Sequence, residues 1–265
     1  MAAGETILVF DSGLGGLTVY REIVAARPRA DFVYLADDAA FPYGAMAEPA
    51  LTQRVVELMS DLIGRYRPDL VVIACNTAST IVLPHLRERF SVPFVGTVPA
   101  VKPACASSIT KLISVLGTEA TVKREYTRAL IRDYAFDCKV TLVGSKMLAT
   151  YAEAELADRP VDDQSIAAEI GPCFRTDGAR TDTIVLACTH YPLLIERFSR
   201  LAPWPVTFVD PAPAIARRVG DLLGPASAAA SRGATRAFFT SGRYPAEALA
   251  RFGIRADEPA STTAG

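Results

Sequence analysis

Short runs of consecutive apolar and β-branched residues alternate along this chain with stretches of helical hydrophobic spacing. Uninterrupted runs of this kind are typical of parallel strands that are buried on both faces of a sheet. They predict strands at Ile7–Phe10, Phe32–Leu35, Leu70–Ala74, Leu112–Leu116, Val140–Val143, Ile184–Ala187 and Val206–Val209, and a further strand at Arg236–Thr240. A helix that ends within 65–68 is predicted after Pro49 from apolar residues on one face, namely Leu51, Val55, Leu58, Met59 and Leu62. The alternation of strands and helices predicts an α/β fold with covered parallel sheets.

A faint internal repeat divides the chain into two halves. The segment Ile7–Tyr20 can be laid over Ile113–Tyr126, because each contains a strand-like run, a turn of small residues and the start of a helix. The motifs VVIACNT and TIVLACTH are offset by a similar distance. Two pseudo-symmetric parallel-sheet α/β domains that face each other across a cleft would explain both matches, although any two βα units share such features. The expected domains are 1–98 plus 212–265, since the strand at Arg236–Thr240 can return to the first half, and 99–211.

Charge and composition argue against several classes of protein. The chain of 265 residues has 28 Lys and Arg against 29 Asp and Glu, so it has no general positive field for nucleic acid or an anionic membrane. The apolar run Thr6–Phe10 is too short for a signal peptide, and no run approaches the roughly 20 apolar residues of a membrane span. A soluble cytoplasmic protein is expected. The five cysteines show no C-x-x-C spacing, which fits neither a zinc finger nor a disulfide framework, so free thiols are expected.

A glycine-rich turn follows the first predicted strand, in the sequence FDSGLGGLT from Phe10 to Thr18. Such a turn lets backbone N–H groups approach an anion at the start of a helix. A dinucleotide site is one interpretation, because Asp37 and Asp38 follow the next strand at a suitable distance, but Thr18 stands where the third glycine is needed. Asp11 in this turn is either a catalytic carboxylate or a helix cap.

Cys75 and Cys188 each come directly after a predicted strand. In open α/β sheets, ligands bind at the carboxyl ends of the strands, so both thiols stand at the functional edge. Asn76 and Thr77 would offer donors to a carboxylate at a helix N-terminus, which would also stabilise a thiolate. His190 is a ready partner of Cys188 for proton transfer. The alternatives are a buried structural cysteine and capping roles for the polar neighbours.

Two opposed thiols suit one chemistry in particular. Inversion of an amino-acid α-carbon requires that one proton leaves one face and another arrives at the opposite face. Two groups that each act as base in one direction and acid in the other achieve this when one is a thiolate and the other a thiol. Preorganised donors must then stabilise the carbanion through the substrate carboxylate. The side chains available for this are Ser12, Asn76, Thr77 and Thr189.

From about Ile7 to Gly242 the chain resembles the glutamate racemases of the aspartate/glutamate racemase superfamily. The matching blocks, in the expected order, are FDSGLGGLTV, ADDAAFPYG, IACNTAST, VGTVPAVKPA, VLGTEATVKREY, LACTHYPLL and VDPA. The resemblance implies a racemase that needs neither PLP nor a metal and supplies D-glutamate for peptidoglycan synthesis. It also implies a homodimer that requires no nucleic acid.

The same resemblance implies roles for individual residues. Cys75 would remove the α-proton of the D-enantiomer and Cys188 that of the L-enantiomer. Asp11 would support the first thiol and His190 the second. The implied substrate-binding residues are Asp11, Ser12, Tyr43, Gly44, Asn76, Thr77, Thr118, Thr121, Thr189 and His190.

Two departures from the family pattern leave positions open. Asp38 stands where many members have Thr, so contacts near it are not assigned. The segment 142–147 lacks the common Cys-Pro, and for this reason neither Glu153 nor Glu155 is given a catalytic role. The cysteines outside the two motifs are interpreted as structural: Cys105, Cys138 and Cys173.

Three other functions remain as alternatives. Aspartate racemases use the same chemistry but carry Glu where this chain has His190. A nicotinamide-dependent dehydrogenase would use the turn at Gly13–Gly16. A non-catalytic amino-acid-binding protein would hold glutamate without exchanging its α-proton.

Overall fold

The computed structural model describes residues 4–225 and 232–255, and within them strands and helices alternate. The strands are β1 (Thr6–Asp11), β2 (Asp31–Ala36), β3 (Leu70–Ile73), β4 (Phe94–Gly96), β5 (Leu112–Thr118), β6 (Lys139–Ser145), β7 (Thr176–Asp177), β8 (Ala179–Arg180), β9 (Thr183–Ala187), β10 (Thr207–Val209) and β11 (Thr235–Phe239). The helices are α1 (Leu17–Ala26), α2 (Glu48–Tyr66), α3 (Asn76–Arg89), α4 (Val101–Ser107), α5 (Glu119–Lys123), α6 (Glu125–Tyr134), α7 (Leu148–Leu156), α8 (Asp163–Ile170), α9 (Ile195–Leu201), α10 (Ala212–Leu223) and α11 (Ala246–Ala250). Short 3-10 turns lie at Asp38–Ala40, Tyr43–Ala45, Gly171–Cys173 and Tyr191–Leu194.

Two parallel sheets form the framework, as the sequence predicts. The first sheet has the order β11-β2-β1-β3-β4 and the second the order β10-β9-β5-β6. Every pair within them is parallel. Every predicted strand is present. The sequence analysis missed β4, which has only three residues after Pro93, and the antiparallel ribbon of β7 and β8, whose residues are largely exposed.

The C-terminal strand β11 pairs with β2 in the first sheet, for example Arg236 with Val33. The chain therefore returns to the first sheet after it has built the second, as expected from the sequence. The limits 1–98 plus 212–265 and 99–211 stay a prediction, and residues 226–231 and 256–265 lie outside the described part.

Both faces of the two sheets are covered, which explains the continuous apolar runs. Successive side chains of a strand point to opposite faces. In β1, Ile7 and Val9 pack with α1 and α10, whereas Leu8 and Phe10 pack with α2 and α3. Residues of β9 likewise divide between a cluster with α7, α8 and α9 and a cluster with α4.

Helix α2 is the helix that was predicted after Pro49. It begins at Glu48, and Pro49 lies in the first turn, where its missing N–H breaks no intrahelical bond. Its buried residues are Leu51, Val55, Met59 and Leu62, and Leu58 is half-buried. Arg67 ends the helix in the left-handed region with a φ of 44°. No helix in the described ranges is both long and apolar enough to cross a membrane.

The two sheets place their cysteine motifs in matching positions. Strand β1 lies between β2 and β3 in the first sheet, and β5 lies between β9 and β6 in the second. Cys75 follows β3, which pairs with β1, and Cys188 follows β9, which pairs with β5, so each thiol stands beside the corresponding strand of its sheet. The repeat departs from symmetry at one point, because α5 begins at Glu119 directly after β5, without a glycine-rich turn.

Candidate active site

Cys75 lies just beyond the carboxyl end of β3, and helix α3 begins at the next residue, Asn76. Its thiol is almost completely buried and lies 3.7 Å from the hydroxyl of Ser12. Burial raises the pKa of this thiol, and the charge of Asp11 raises it further. In this arrangement Cys75 keeps its proton at neutral pH.

Asp11 ends β1 and links the two halves of the molecule. Its buried carboxylate accepts hydrogen bonds from the Ser12 backbone N–H at 2.6 Å and from the Thr189 hydroxyl at 2.9 Å. Burial raises the pKa of Asp11, while the charge of His190 acts in the opposite direction. Helix α1 begins only at Leu17 and has no side-chain cap, so the capping interpretation of Asp11 is wrong.

The second thiol, Cys188, lies beside a charged histidine. Its sulfur is 3.8 Å from Nδ1 of His190. The other ring nitrogen, Nε2, lies 2.8 Å from Oε1 of Glu153 and 3.2 Å from the backbone nitrogen of Gly15. A protonated Nε2 donates to the carboxylate and cannot also accept from Gly15, so the shorter contact with Glu153 places a proton on Nε2. Burial alone would lower the pKa of His190, but its contacts with Cys188 and Glu153 raise it well above the ordinary value.

Glu153 on α7 is the residue that sequence reasoning left open. Its Oε1 accepts a hydrogen bond from the Leu14 backbone N–H at 2.7 Å in addition to its contact with His190. Burial would raise the pKa of Glu153, but the bond with His190 brings it below the ordinary value. Glu155 instead pairs with Arg197. Helical spacing was the available signal, because residues two apart lie on different faces of a helix and only one of the two can face the cleft.

The glycine-rich turn is filled by side chains of the second half. A side-chain carbon at Gly13 would lie 2.4 Å from the carboxylate of Glu153, and one at Gly15 would lie 2.4 Å from Nδ1 of His190. The N–H of Leu14 already binds the carboxylate of Glu153. The anion at this turn is thus the chain's own carboxylate, which leaves no room there for the pyrophosphate of a dinucleotide.

Three predicted threonine hydroxyls form a second group. The hydroxyl of Thr77 lies 3.2 Å from that of Thr118 and 3.3 Å from that of Thr121, and the latter two are 2.9 Å apart. The turn Tyr43–Ala45 packs against this group, since a side-chain carbon at Gly44 would lie 3.7 Å from Cβ of Thr118. Residues from both halves therefore meet here as well.

Asn76 and Tyr43 differ in what they can offer a ligand. Asn76 is buried, and neither polar atom of its amide has a hydrogen-bond partner within the part of the chain that the structure describes. Buried amides rarely stay unpaired, so this one is suited to a bound polar molecule. The hydroxyl of Tyr43 donates to Asp37 at 2.5 Å and is not free for a ligand.

The predicted site residues thus meet between the two sheets, and all of them are buried except the exposed Gly44 and the half-buried Thr118. A charge on the sulfur of Cys188 would raise the pKa of Cys75, so the two thiols lie within electrostatic reach of each other. The thiols, His190 and two carboxylates supply acid–base groups, and the hydroxyls and the Asn76 amide supply donors. Across the described ranges, no group of three or more His, Cys, Asp or Glu is placed to hold a metal ion.

Three comparisons with known proteins agree with one another on the relatives of this chain. A model of the Asp/Glu/Hydantoin racemase family matches residues 7–219. The glutamate racemase of Brucella anthropi is 56% identical over 225 residues, which cover 84% of this chain and 81% of that protein. The glutamate racemase of Mesorhizobium japonicum is 54% identical and covers 90% of this chain and 92% of its own. The structure of Escherichia coli glutamate racemase with L-glutamate and the activator UDP-MurNAc-ala is 40% identical, with a TM-score of 0.86 over 95% of this chain and 96% of that one.

Proposed function

Because the chain belongs to the Asp/Glu/Hydantoin racemase family, we propose that it interconverts L- and D-glutamate without a cofactor, using Cys75 and Cys188 as opposed acid–base groups. The pair of buried thiols supports this most directly, because each follows a strand end and each has its own polar partner. The relatives that share more than half of the matched residues are glutamate racemases, which favours glutamate over aspartate.

The proposed reaction moves one proton at each face of the substrate. In the direction from L to D, the thiolate of Cys188 removes the α-proton, and the electron pair stays on the α-carbon and its carboxylate. The thiol of Cys75 then delivers its proton to the opposite face. Cys188 ends as a thiol and Cys75 as a thiolate, and the reverse reaction uses the same steps in the opposite order.

The surroundings of the two thiols favour one starting state. The imidazolium of His190, 3.8 Å from the sulfur of Cys188, stabilises negative charge on that side. Burial and the charge of Asp11 keep the proton on Cys75. The protein is therefore ready to take a proton from L-glutamate, and Glu153 balances the charge of His190.

Donors around the thiols suit the polar groups of glutamate. The unpaired amide of Asn76 and the hydroxyls of Thr77 and Thr121 can bind its carboxylates, and Asp11 can receive its ammonium group. Ser12 and Thr189 both donate hydrogen bonds to the carboxylate of Asp11, and in this way they connect it to both thiol motifs. Groups held in place before the reaction lower its barrier because they need no reorganisation.

We place the proposed product in peptidoglycan synthesis in the cytoplasm. The Escherichia coli relative binds the activator UDP-MurNAc-ala, a nucleotide that carries the muramic acid of peptidoglycan. Turnover with and without this nucleotide tests the connection, and light scattering tests the homodimer that the family resemblance implies.

The experiment that tests the function follows circular dichroism of L- and D-glutamate in D₂O, together with α-deuterium uptake by mass spectrometry. The parent protein should interconvert both enantiomers with deuterium uptake, and aspartate should react far more slowly. Cys188→Ala should lose racemisation and L-glutamate exchange, yet Cys75 can still exchange the α-proton of D-glutamate. Cys75→Ala should show the opposite selectivity.

Cys138→Ala is the matched control, since this half-buried thiol lies away from both motifs. It should racemise glutamate at the parent rate. Racemisation that survives the loss of either Cys75 or Cys188 would contradict the two-thiol mechanism. Binding of glutamate by the parent without deuterium uptake would instead favour a non-catalytic binding protein.

A further inference from the structure

Asp37, just after β2, has a fully buried carboxylate that is surrounded by donors. Arg54 on α2 binds it with two nitrogens, Nε at 2.5 Å and a terminal nitrogen at 2.6 Å. The hydroxyls of Tyr43, at 2.5 Å, and of Thr240, at 2.7 Å, donate to the same carboxylate. Burial alone would raise the pKa of Asp37, but these donors bring it below the ordinary value. A charged, fully paired carboxylate thus lies beside the turn Tyr43–Ala45.

The donors of this carboxylate come from separate parts of the chain. Arg54 belongs to α2, Tyr43 to the turn Tyr43–Ala45, and Thr240 follows β11. Two-point binding of a carboxylate by a guanidinium fixes orientation as well as distance. The ring of Tyr43 is therefore held from helix α2 through the carboxylate of Asp37.

A second carboxylate, that of Asp38, holds the segment that follows β2 against the residues after β11. Asp38 accepts hydrogen bonds from the backbone N–H of Ser241, at 2.9 Å, and from its hydroxyl. The hydroxyl of Thr240 also lies 3.1 Å from the backbone nitrogen of Ala39, which donates to it. The contacts of Asp38, which the family pattern left open, thus belong to the residues after β11.

We propose that Asp37 and Arg54 are positioning residues that fix Tyr43. Through the ring of Tyr43 they hold the backbone of Gly44 against Thr118, in the pocket that the proposed function assigns to glutamate. This inference rests on the proposed function, and it adds residues that do not touch the substrate. Tyr43 then acts through its place in the turn, because its hydroxyl is committed to Asp37.

Loss of the ion pair should affect substrate binding more than proton transfer. Arg54→Met removes the charge and both hydrogen bonds but keeps a long apolar side chain. The carboxylate of Asp37 is then left buried without its cation and no longer anchors the turn. We expect KM for L-glutamate to rise about tenfold while kcat stays within about threefold, since the lost contact holds substrate and transition state alike.

A double-substitution cycle separates positioning from a general structural effect. Tyr43→Phe alone should raise KM by a similar factor, because it cuts the link between the ring and Asp37. In the Tyr43→Phe background, Arg54→Met should then raise KM by less than about twofold. Arg54→Lys should recover part of the affinity, since it keeps the charge without the two-point bond. Arg65→Met on the same helix is the matched control, because the exposed Arg65 only pairs loosely with Asp61 at 3.9 Å.

The complete test measures three properties of each variant: its steady-state kinetics, its circular dichroism spectrum and the rise in Tm that glutamate causes. An unchanged KM in Tyr43→Phe overturns the inference even where Arg54→Met does not fold. The inference is also overturned if Arg54→Met raises KM by the same factor in the parent and in the Tyr43→Phe background. A parent that binds glutamate but does not racemise it refutes the proposed function, while the Tm shifts still report whether Arg54 supports binding.

Discussion

Replacing Gly15 with alanine should displace His190 and slow racemisation about 100-fold. The new side-chain carbon would lie 2.4 Å from Nδ1 and 2.7 Å from both Cε1 and Cγ of the His190 ring. Non-bonded heavy atoms settle at about 3.5 Å or more, so the ring has to move by roughly 1 Å. The methyl group presses on Nδ1, the same ring atom that faces Cys188.

The His190 ring cannot make this movement without losing some of its present contacts. His190 is buried, its Nε2 bonds to Glu153, and the ring of Phe41 packs with its centroid 5.3 Å away. A shift of about 1 Å in a catalytic group can reduce the rate by a factor of about 100. His190 then no longer faces the sulfur of Cys188 in the geometry that the proposed proton transfer needs.

The assay is racemisation of L-glutamate by circular dichroism, with deuterium uptake from D₂O. Because Cys75 and Ser12 are not displaced, exchange of the D-glutamate α-proton should survive better than inversion. Gly64→Ala on α2 is the matched control, since a side-chain carbon there would contact nothing within 4 Å. It should keep full activity and stabilise the fold by about 0.5–1 kcal/mol. A folded Gly15→Ala protein that racemises within threefold of the parent would refute the role of His190.

Two further predictions concern pH. Glu153→Gln removes the charge that helps to raise the pKa of His190, so the alkaline limb of the kcat/KM profile should move to lower pH; an unmoved limb would contradict the proposed pairing. Asp182 accepts hydrogen bonds from Ser108 at 2.6 Å and from the backbone of Ile109 at 2.7 Å, so Asp182→Ala should destabilise the fold by about 1–3 kcal/mol without slowing racemisation. Burial alone would raise the pKa of Asp182, but these bonds bring it below the ordinary value of about 4. The carboxylate therefore contributes fully to the free energy of unfolding above about pH 4, and this contribution disappears as the pH falls through the lowered pKa. Thermal unfolding of parent and variant should therefore converge in acid, and a constant difference in Tm down to about pH 2 would show that the charge is not responsible.

Much of the framework was predictable because its strands are buried on both faces. Ile7–Phe10 and Ile184–Ala187 are apolar without interruption for that reason, and each ends next to a polar motif. Strand β4 could not be predicted in the same way, because three residues carry too little periodic signal. The return of β11 to the first sheet was expected from the strand-like run Arg236–Thr240, but its register with β2 depends on contacts between residues about 200 positions apart.

The site was predictable where its signal is local. Cys75 and Cys188 were identified because each directly follows a strand-like run, and parallel strands gather such ends at one edge. Glu153 was left unassigned because segment 142–147 departs from the family pattern, and its partners Leu14 and His190 lie 139 and 37 residues away along the chain. Nothing local distinguishes it from Glu155 until the helix face is known.

In the proposed mechanism the two thiols carry out equivalent steps, yet their surroundings differ. Cys188 lies beside a cation, and Cys75 lies beside the carboxylate of Asp11 and a hydroxyl. A two-thiol racemase must nevertheless allow negative charge to rest on either sulfur in turn. Burial is the main reason for the raised pKa of Cys75, and bound substrate reduces the second one in the proposed mechanism, because its ammonium group, placed at Asp11, neutralises the charge there. In this mechanism the asymmetry of the protein keeps the resting proton on Cys75, and the ammonium group of the bound substrate makes negative charge on that sulfur easier to hold.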